Sequence, residues 1–536
     1  MDGFGPDAIG PLSYGQCVII CAMINRREWL GAAALAPAFA QNATAPRPPN
    51  ILHIMSDQQQ WATIAGRSLC HTPNLNRLAA SGMLFERSYT PSAVCCPARA
   101  MLLSGAFHWH NGVYNQVHSA PSVHRDMFPD VTLYSERLRD AGYRLGYVGK
   151  WHASWVRGPL QFAFTEVADL ASYRDAARDS AAARVRLARP PTPLRRTVTR
   201  NMQWPGSDPF PMWGYNEGPE EATSEYRRTD CAIQVMQNLA TGTQPWHLEV
   251  HYIEPHDPYF PLKKYLDRYD PRSIPVPKSF ADDFRGKPGL HRREAESWGK
   301  ITEDDVRQSR AHYFAQTEQL DAQIGRLLDA LDRTGQAGRT IVVFTSDHGD
   351  MAGAHRMWLK GWIPYEETYR VPLIVRWPGR IAPGSRSSQL VQTHDLAHTY
   401  VAAAGARALP FPDGRPLQPL FDNPASRDWP QEILCAYYGG EFLYTQRMVV
   451  TERYKYVFNG FDQDELYDLE NDPAELRNQI DNPQFRAPAD DLRGRLYLLM
   501  DRYGDPYGTA ASGAGGGEAP NRYGAQRYLP RPRVTG

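Results

Sequence analysis

Cys95 and Cys96 stand directly before Pro97, and Arg99 and an apolar run from Met101 to Leu103 follow, closed by Ser104 and Gly105. The stretch predicts a short helix, with Pro97 at its first position and Gly105 able to take the left-handed turn that ends it. Cys95 then sits just outside a helix N-terminus, where free N–H groups and the helix dipole favour negative charge, so a reactive group there would meet an anion. Four other places carry polar residues that one reaction could share: Asp57-Gln58, Lys150 with His152, His256, and Asp347-His348 with Lys360. Singly each has a plain explanation. The cysteines read as packed core or a vicinal pair, the aspartates as loop carboxylates or helix caps, His256 as a turn histidine and the lysines as solvated charge. What unites them is position, since each lies at the end of a predicted strand or helix.

The run NILHIM at 50–55 is of the buried-strand type and delivers Asp57 at its C-terminal end, the end at which open α/β sheets bind ligands. Next come a helix from Pro73 to Gly82, a strand from Met83 to Phe85, the Cys95 helix, a helix over 130–141 and a strand over 143–148 that leads to Lys150 and His152. A helix over 224–240 precedes a strand over 246–252 that leads to His256. Leu320, Ile324, Leu327 and Leu331 share one helical face, and the strand TIVVFT at 340–345 delivers Asp347. A strand at Val371 to Arg376 and a helix at Asp395 to Ala404 follow. This alternation predicts an α/β fold with a large central sheet, mixed but mostly parallel, sandwiched by helices.

From about residue 424 the pattern changes. Antiparallel strands at 433–437 and 448–458, then the stretch 465–469 and a helix over 490–503, predict a smaller C-terminal α+β subdomain with a short antiparallel sheet. The expected organisation is a catalytic α/β domain at 41–423 with an insertion at about 153–222, the subdomain at 424–504, and a Gly-, Ala- and Pro-rich disordered tail at 505–536. The insertion carries ARPPTPLRR at 188–196 and the aromatics Trp204, Phe210 and Trp213. It reads as a specificity loop at the mouth of a site, or as a solvated surface excursion.

The totals exclude some classes. Lys+Arg and Asp+Glu are both 59 in 536 residues, which argues against a general nucleic-acid binder and leaves anion affinity to be local. Seven cysteines in a chain of this size do not make a disulfide framework. Residues 1–40 read as an address: from Met23 the chain carries Arg26-Arg27, a small apolar run and Ala38-Phe39-Ala40, the order of a twin-arginine export signal cleaved after Ala40, with the true start at Met23. The run falls short of the roughly 20 residues a spanning helix needs, so no stable membrane span is expected. The signal implies a bacterial protein that works in the periplasm or outside the cell.

The spacing Cys-x-Pro-x-Arg, met by Cys95, Pro97 and Arg99, resembles the signature of the sulfatase family, in the alkaline phosphatase superfamily. Gly142-Tyr143 through Gly149-Lys150-Trp151-His152 resembles the family's second signature. Thr345-Ser346-Asp347-His348-Gly349 and Leu466-Tyr467-Asp468-Leu469 near Asp472-Pro473 are similar to it too, and the likeness runs from about residue 49 to 480. The resemblance implies that Cys95, the first cysteine, is oxidised to formylglycine by a formylglycine-generating enzyme. It implies one divalent cation held by Asp57, Asp347, His348 and the modified Cys95, with Gln58 beside them. Calcium is the first expectation, with manganese, zinc and magnesium as alternatives. Lys150, Lys360 and Arg99 would surround the anion and the nucleophile, and Asn115 corresponds to a substrate-contacting position in relatives.

The implied reaction asks for these residue types. A sulfate monoester is a charged and poor electrophile, so attack on sulfur needs a cation and lysines on the non-bridging oxygens. One hydroxyl of a formylglycine hydrate would attack sulfur to give a covalent sulfo-enzyme, and His256 would protonate the departing oxygen. The second hydroxyl, deprotonated with help from His152, would expel sulfate and restore the aldehyde. Two departures qualify this: many sulfatases carry aspartate where Gln58 stands and asparagine where His348 stands. Fewer carboxylates and a nitrogen ligand move preference from calcium towards manganese or zinc. The pairs Asp57-Gln58 and Asp347-His348 resemble phosphonate monoester hydrolases and choline sulfatases. The expected function is therefore exported sulfate monoester hydrolysis on a saccharide or aryl alcohol, with phosphonate monoester or phosphodiester hydrolysis as the alternative and a non-catalytic glycan-binding protein as the distant one.

Overall fold

Eight strands hydrogen-bond side by side in the computed structural model, which describes residues 47–507 apart from 186–191, 204–207, 361–362, 441–442 and 461. In chain order the strands are β1 (Asn50–Ser56), β2 (Met83–Tyr89), β3 (Arg144–Lys150), β4 (Glu166–Ala171), a separate hairpin of β5 (Arg195–Met202) and β6 (Phe210–Glu217), then β7 (Trp246–His251), β8 (Thr340–Ser346), β9 (Leu373–Arg376) and β10 (Ser385–Gln392). The large sheet has the order β10-β2-β9-β8-β1-β7-β3-β4. Only β9 runs against its neighbours β2 and β8; the other pairs are parallel. This is the mixed, mostly parallel sheet expected.

The sheet is covered on both faces because its central strands are apolar on both. From β1, Leu52 and Ile54 pack with Val342, Leu320, Ile324, Leu327 and Leu331, the inner face of the helix Glu303–Arg333. Ile51 and Met55 point the other way and join Ile341, Val343, Leu145 and residues of the helices Cys95–Ser104, Tyr134–Asp140 and Asp395–Ala403. The period of two thus feeds two cores from one strand. The registers Met55↔His251 and Ser56↔Ser346 bring the C-terminal ends of β1, β7 and β8 level, so the turns after them emerge at one place.

The C-terminal part forms a second, four-stranded antiparallel sheet of β11 (Glu432–Tyr437), β12 (Gln446–Thr451), β13 (Tyr454–Phe458) and β14 (Glu465–Asp468). The expected strand at 448–458 is two strands joined at Glu452-Arg453. The helix Arg486–Arg502 lays Leu492, Leu496 and Met500 on Leu434, Val449 and Tyr456, together with Met101 of the Cys95 helix and Phe107 just after it. Buried Lys455 bonds Glu475 (2.7 Å), Glu366 (2.9 Å) and the carbonyl of Pro364 (2.8 Å), tying this sheet to the chain below the large one.

Between 153 and 222, β4 forms an edge of the large sheet and β5–β6 a hairpin whose Trp213 stacks on Trp358 at 6.2 Å. Residues 1–40, Trp204, 188–191 of the Arg- and Pro-rich run and the chain beyond 507 lie outside the described residues. Among the described residues no helix is long and apolar enough to cross a membrane.

Candidate active site

The helix carrying the cysteines runs Cys95–Ser104, so Cys95 is its first residue and Pro97 its third, not its first as the sequence reading had it. The shift is cheap: the first N–H groups of a helix have no partner within it, so proline is tolerated throughout that turn. The Ala98 N–H already reaches Val94 O at 2.9 Å. Gly105 closes the helix in the left-handed conformation (φ 66°), as expected.

Cys95, Asp57, Asp347 and His348 meet although 38 to 253 residues separate them from Cys95. Cys95 Sγ lies 3.1 Å from His348 Nε2 and 4.0 Å from Asp57 Oδ1. His348 Nε2 is 3.7 Å from an oxygen of each aspartate, and one donor atom from each of the four buried side chains falls within 4.8 Å of the rest. Arg99 binds the two carboxylates together, Nε to Asp347 (2.8 Å) and an Nη to Asp57 (2.9 Å), with no part of it exposed. Lys150 reaches the same Asp57 oxygen.

The group suits a divalent cation. His348 gives its Nδ1 proton to Gly349 O at 2.9 Å, which leaves Nε2 with its lone pair facing the carboxylates, the arrangement that orients a ligand imidazole. Two carboxylates and one imidazole form a hard-to-borderline donor set. Gln58 stands beside it: its side-chain oxygen accepts from Lys360 (3.1 Å) and its amide nitrogen donates to Asp350 (2.7 Å) and Asp257 (3.0 Å).

Lys360 continues to His256 Nε2 at 2.5 Å, and His256 Nδ1 is held by Asp257, 2.8 Å from its carbonyl oxygen and 3.1 Å from its carboxylate. His152 pairs its Nε2 with His118 Nδ1 at 2.9 Å, while its buried Nδ1 has no hydrogen-bond partner. Gln58 (φ 65°) and His152 (φ 51°) both hold left-handed backbone, which costs of order 1 kcal/mol for a residue with a Cβ. Such strain gathers where side chains must be aimed.

Charge sets the protonation states. Burial raises the Cys95 thiol, yet neighbouring groups led by Lys150 and Lys360 outweigh it and hold it well below the ordinary thiol range. Asp57 also ends below the carboxylate range: burial and Cys95 push it up, and Lys150, His256 and Arg99 pull it further down. Burial and Lys150 drive His152 down to about 3, so it is a neutral acceptor at ordinary pH. Burial and Lys360 push His256 down, but Asp257, Asp57 and Cys95 together outweigh them and raise it. Cys96 differs from its neighbour, for burial and Cys95 push its thiol far up and it donates to Gln116 at 2.9 Å. The centre is built to hold negative charge at residue 95.

A cavity of about 690 Å³ opens over Cys95, lined by Lys150, His152, His256, Lys360 and also by Gln116, His118, Trp155, Ser172, Asp257 and Tyr437. Asn115 is not among its lining residues. The Asn115 amide donates to Pro121 O (3.0 Å) and accepts from Val123 N–H (3.0 Å), so it shapes the loop, and Gln116 and His118 face the cavity instead. Sequence reasoning missed Asp257 and Asp350, which anchor His256 and Gln58. Asp350 could have been sought three residues beyond Asp347, in the same strand-end turn. A separate cavity of about 740 Å³, around Trp61, Arg87 and Arg370, lacks all the residues of this centre.

Comparison with known proteins gives a consistent picture. The family model "Sulfatase" matches residues 49–406, and that for "N-sulphoglucosamine sulphohydrolase, C-terminal" matches 353–502. The uncharacterized sulfatase YidJ of Escherichia coli is 31% identical over 86% of this chain and 88% of its own length. The choline-sulfatase of Rhizobium meliloti is 31% identical over 82% and 84%. Among solved structures, the phosphonate monoester hydrolase of Agrobacterium radiobacter (TM-score 0.69, 23% identity) covers 85% of this chain and 96% of that one. A protein solved with its substrate D-glucosamine-2-N,6-O-disulfate (TM-score 0.65, 21% identity) covers 86% and 99%. These last two share the fold.

Proposed function

The chain belongs to the sulfatase family, and from that premise we propose that it hydrolyses sulfate monoesters of a saccharide or aryl alcohol, using formylglycine at position 95 and one calcium ion. The observation that carries the reading is the convergence on Cys95 Sγ of His348 and Asp57 on one side and the cavity with Lys150, Lys360, His152 and His256 on the other.

Asp57, Asp347, His348 and residue 95 would hold the cation, with Gln58 at its edge; bound there, it supplies positive charge to the nucleophile and the sulfate oxygens. Formylglycine, as its hydrate, supplies a nucleophilic hydroxyl and a second hydroxyl through which sulfate leaves. The rest falls to this chain's own side chains. Lys150 and Lys360 place ammonium groups on the cavity wall, aimed at the oxygens of a bound monoester. His256, raised against burial and Lys360 by Asp257 and Asp57, gives its Nε2 proton to the departing alcohol oxygen once the bound sulfate draws the Lys360 ammonium off that nitrogen. His152 Nδ1, neutral and unpartnered, is placed to take a proton from residue 95. Arg99 stays beneath, fixing both carboxylates.

Trp155 and Tyr437 give the cavity aromatic walls that suit a sugar ring or an aryl group. Proteins similar to this chain include an N-acetylglucosamine-6-O-sulfatase of Bacteroides thetaiotaomicron, which favours the sugar. Maturation by a formylglycine-generating enzyme and twin-arginine export to the periplasm or beyond belong to the same proposal, on the strength of Cys95-x-Pro97-x-Arg99 and Arg26-Arg27. The second reading, phosphonate monoester hydrolysis, is favoured by the neutral Gln58 and by His348.

Two measurements test this. The peptide carrying Cys95 should appear about 18 Da lighter than its cysteine form, as expected for a thiol replaced by an aldehyde. Parallel assays should show aryl sulfate preferred over aryl phosphonate, with loss of turnover on chelation and recovery with calcium. An unmodified Cys95 in fully active protein overturns the nucleophile, and a phosphonate preference overturns the substrate.

A further inference from the structure

Strand β7 reads WHLEVH and lies in the middle of the sheet, yet three of its residues that face one core are His247, Glu249 and His251, each fully buried. Such a strand is normally apolar on both faces, and four protein donors account for the exception. His53, paired with Glu249 in the β1–β7 register, offers Nδ1 to its carboxylate at 2.9 Å. His247 offers Nε2 at 2.9 Å, and His251 Nε2 and the Tyr134 hydroxyl complete the set. Burial raises the Glu249 carboxyl, but His53 and His251 draw it well below the usual range. The donors of His53, Glu249 and His251 lie close enough to hold a metal, but they are spent on one another.

One member of the cluster reaches the active site. With Nε2 engaged by Glu249, His251 turns Nδ1 to Arg99, whose Nη1 lies 3.2 Å away and also donates to Lys150 O at 2.9 Å. Tyr147 OH stands 2.7 Å from the same Nδ1. Glu249 therefore fixes which His251 nitrogen carries a proton, and His251 fixes the guanidinium that clasps Asp57 and Asp347.

We propose that Glu249 and His251 are positioning residues, a buried second layer that sets the spacing of the two carboxylates through Arg99. They touch neither substrate nor cation. Partners bonded directly to ligating side chains, as Arg99 is here, typically govern metal affinity by 10- to 100-fold, and His251 acts through Arg99. The proposal rests on reading Asp57 and Asp347 as cation ligands.

The test uses the full-length, matured protein, with calcium binding followed by calorimetry beside kcat, KM and thermal melting. His251→Leu should raise the calcium Kd by about 10- to 100-fold, while His251→Gln, whose amide can accept from Arg99 and donate to Glu249, should stay within about threefold of wild type. A folded His251→Leu protein with wild-type calcium affinity and turnover overturns the proposal. So do equal losses in the leucine and glutamine variants that follow only the melting temperature. If His251→Leu does not fold, Glu249→Gln carries the same test: a Kd raised about tenfold supports the proposal and an unchanged one overturns it. A wild-type protein that binds no calcium would instead sink the cation site itself.

Discussion

Replacing Asp257 by asparagine should move the alkaline limb of the pH–rate profile down while leaving substrate binding nearly intact. Asp257 holds His256 Nδ1 with its carboxylate at 3.1 Å, and asparagine keeps an oxygen there for both His256 and the Gln58 amide while removing the charge. At that separation a charge pair is worth about 1.3 kcal/mol at the dielectric of water and about 5 kcal/mol at an effective dielectric of 20. The side chains are 21% and 15% exposed, so an intermediate value nearer the watery end, about 2 kcal/mol, applies. Losing that attraction lowers the His256 pKa. His256 acts as an acid, so rate is lost as pH rises through its pKa, and the variant should lose rate at correspondingly lower pH. The assay is kcat/KM against pH with two sulfate esters, one of an acidic phenol and one of an alkyl alcohol. The alkyl ester, whose leaving oxygen needs the proton, should suffer more. A limb that stays in place, or moves up, refutes the assignment of His256 as the acid.

Two further outcomes follow from the packing. Gly149→Ala should cost both folding and activity, because the residue sits at φ 100° and a Cβ there would come within 2.0 Å of His251 O; soluble yield and kcat beside wild type check it. Lys455→Met should destabilise by about 3–5 kcal/mol by leaving the buried Glu366 and Glu475 without their cation. With about 2.1 cal/mol/K of unfolding entropy per residue, that is a fall of about 3–5 °C in Tm, measured by calorimetry, with kcat below the transition unchanged.

The strand ends were legible because chemistry and periodicity coincide there: NILHIM and TIVVFT are mainly apolar runs, and a Ser-Asp pair follows each. The edge strands were not. β10 reads SRSSQLVQ and β4 EVADLA, polar enough to pass for loop, since an edge strand is buried on one side only. Which turns would meet was also hidden, because the sheet order places β1 between β7 and β8, some two to three hundred residues away in sequence. Asn115 misled by one position: in a loop, neighbouring side chains take opposite directions, and Gln116 took the cavity. HLEVH carried a readable signal, polar residues at every second place in a strand flanked by core, which gains meaning only when His53 appears opposite.

The burial of Cys95 has a practical bearing on making this protein. The residue is 1% exposed and Arg99, the far end of its motif, not at all, so no second enzyme could grasp that segment once the fold has closed. Under the proposed maturation, conversion would have to happen on the nascent or unfolded polypeptide, in competition with collapse. A molecule that folded first would keep Cys95 buried as cysteine. Specific activity would then report how fast the cell matures the chain relative to how fast it makes it, and slowing synthesis should raise the active fraction without altering a single contact.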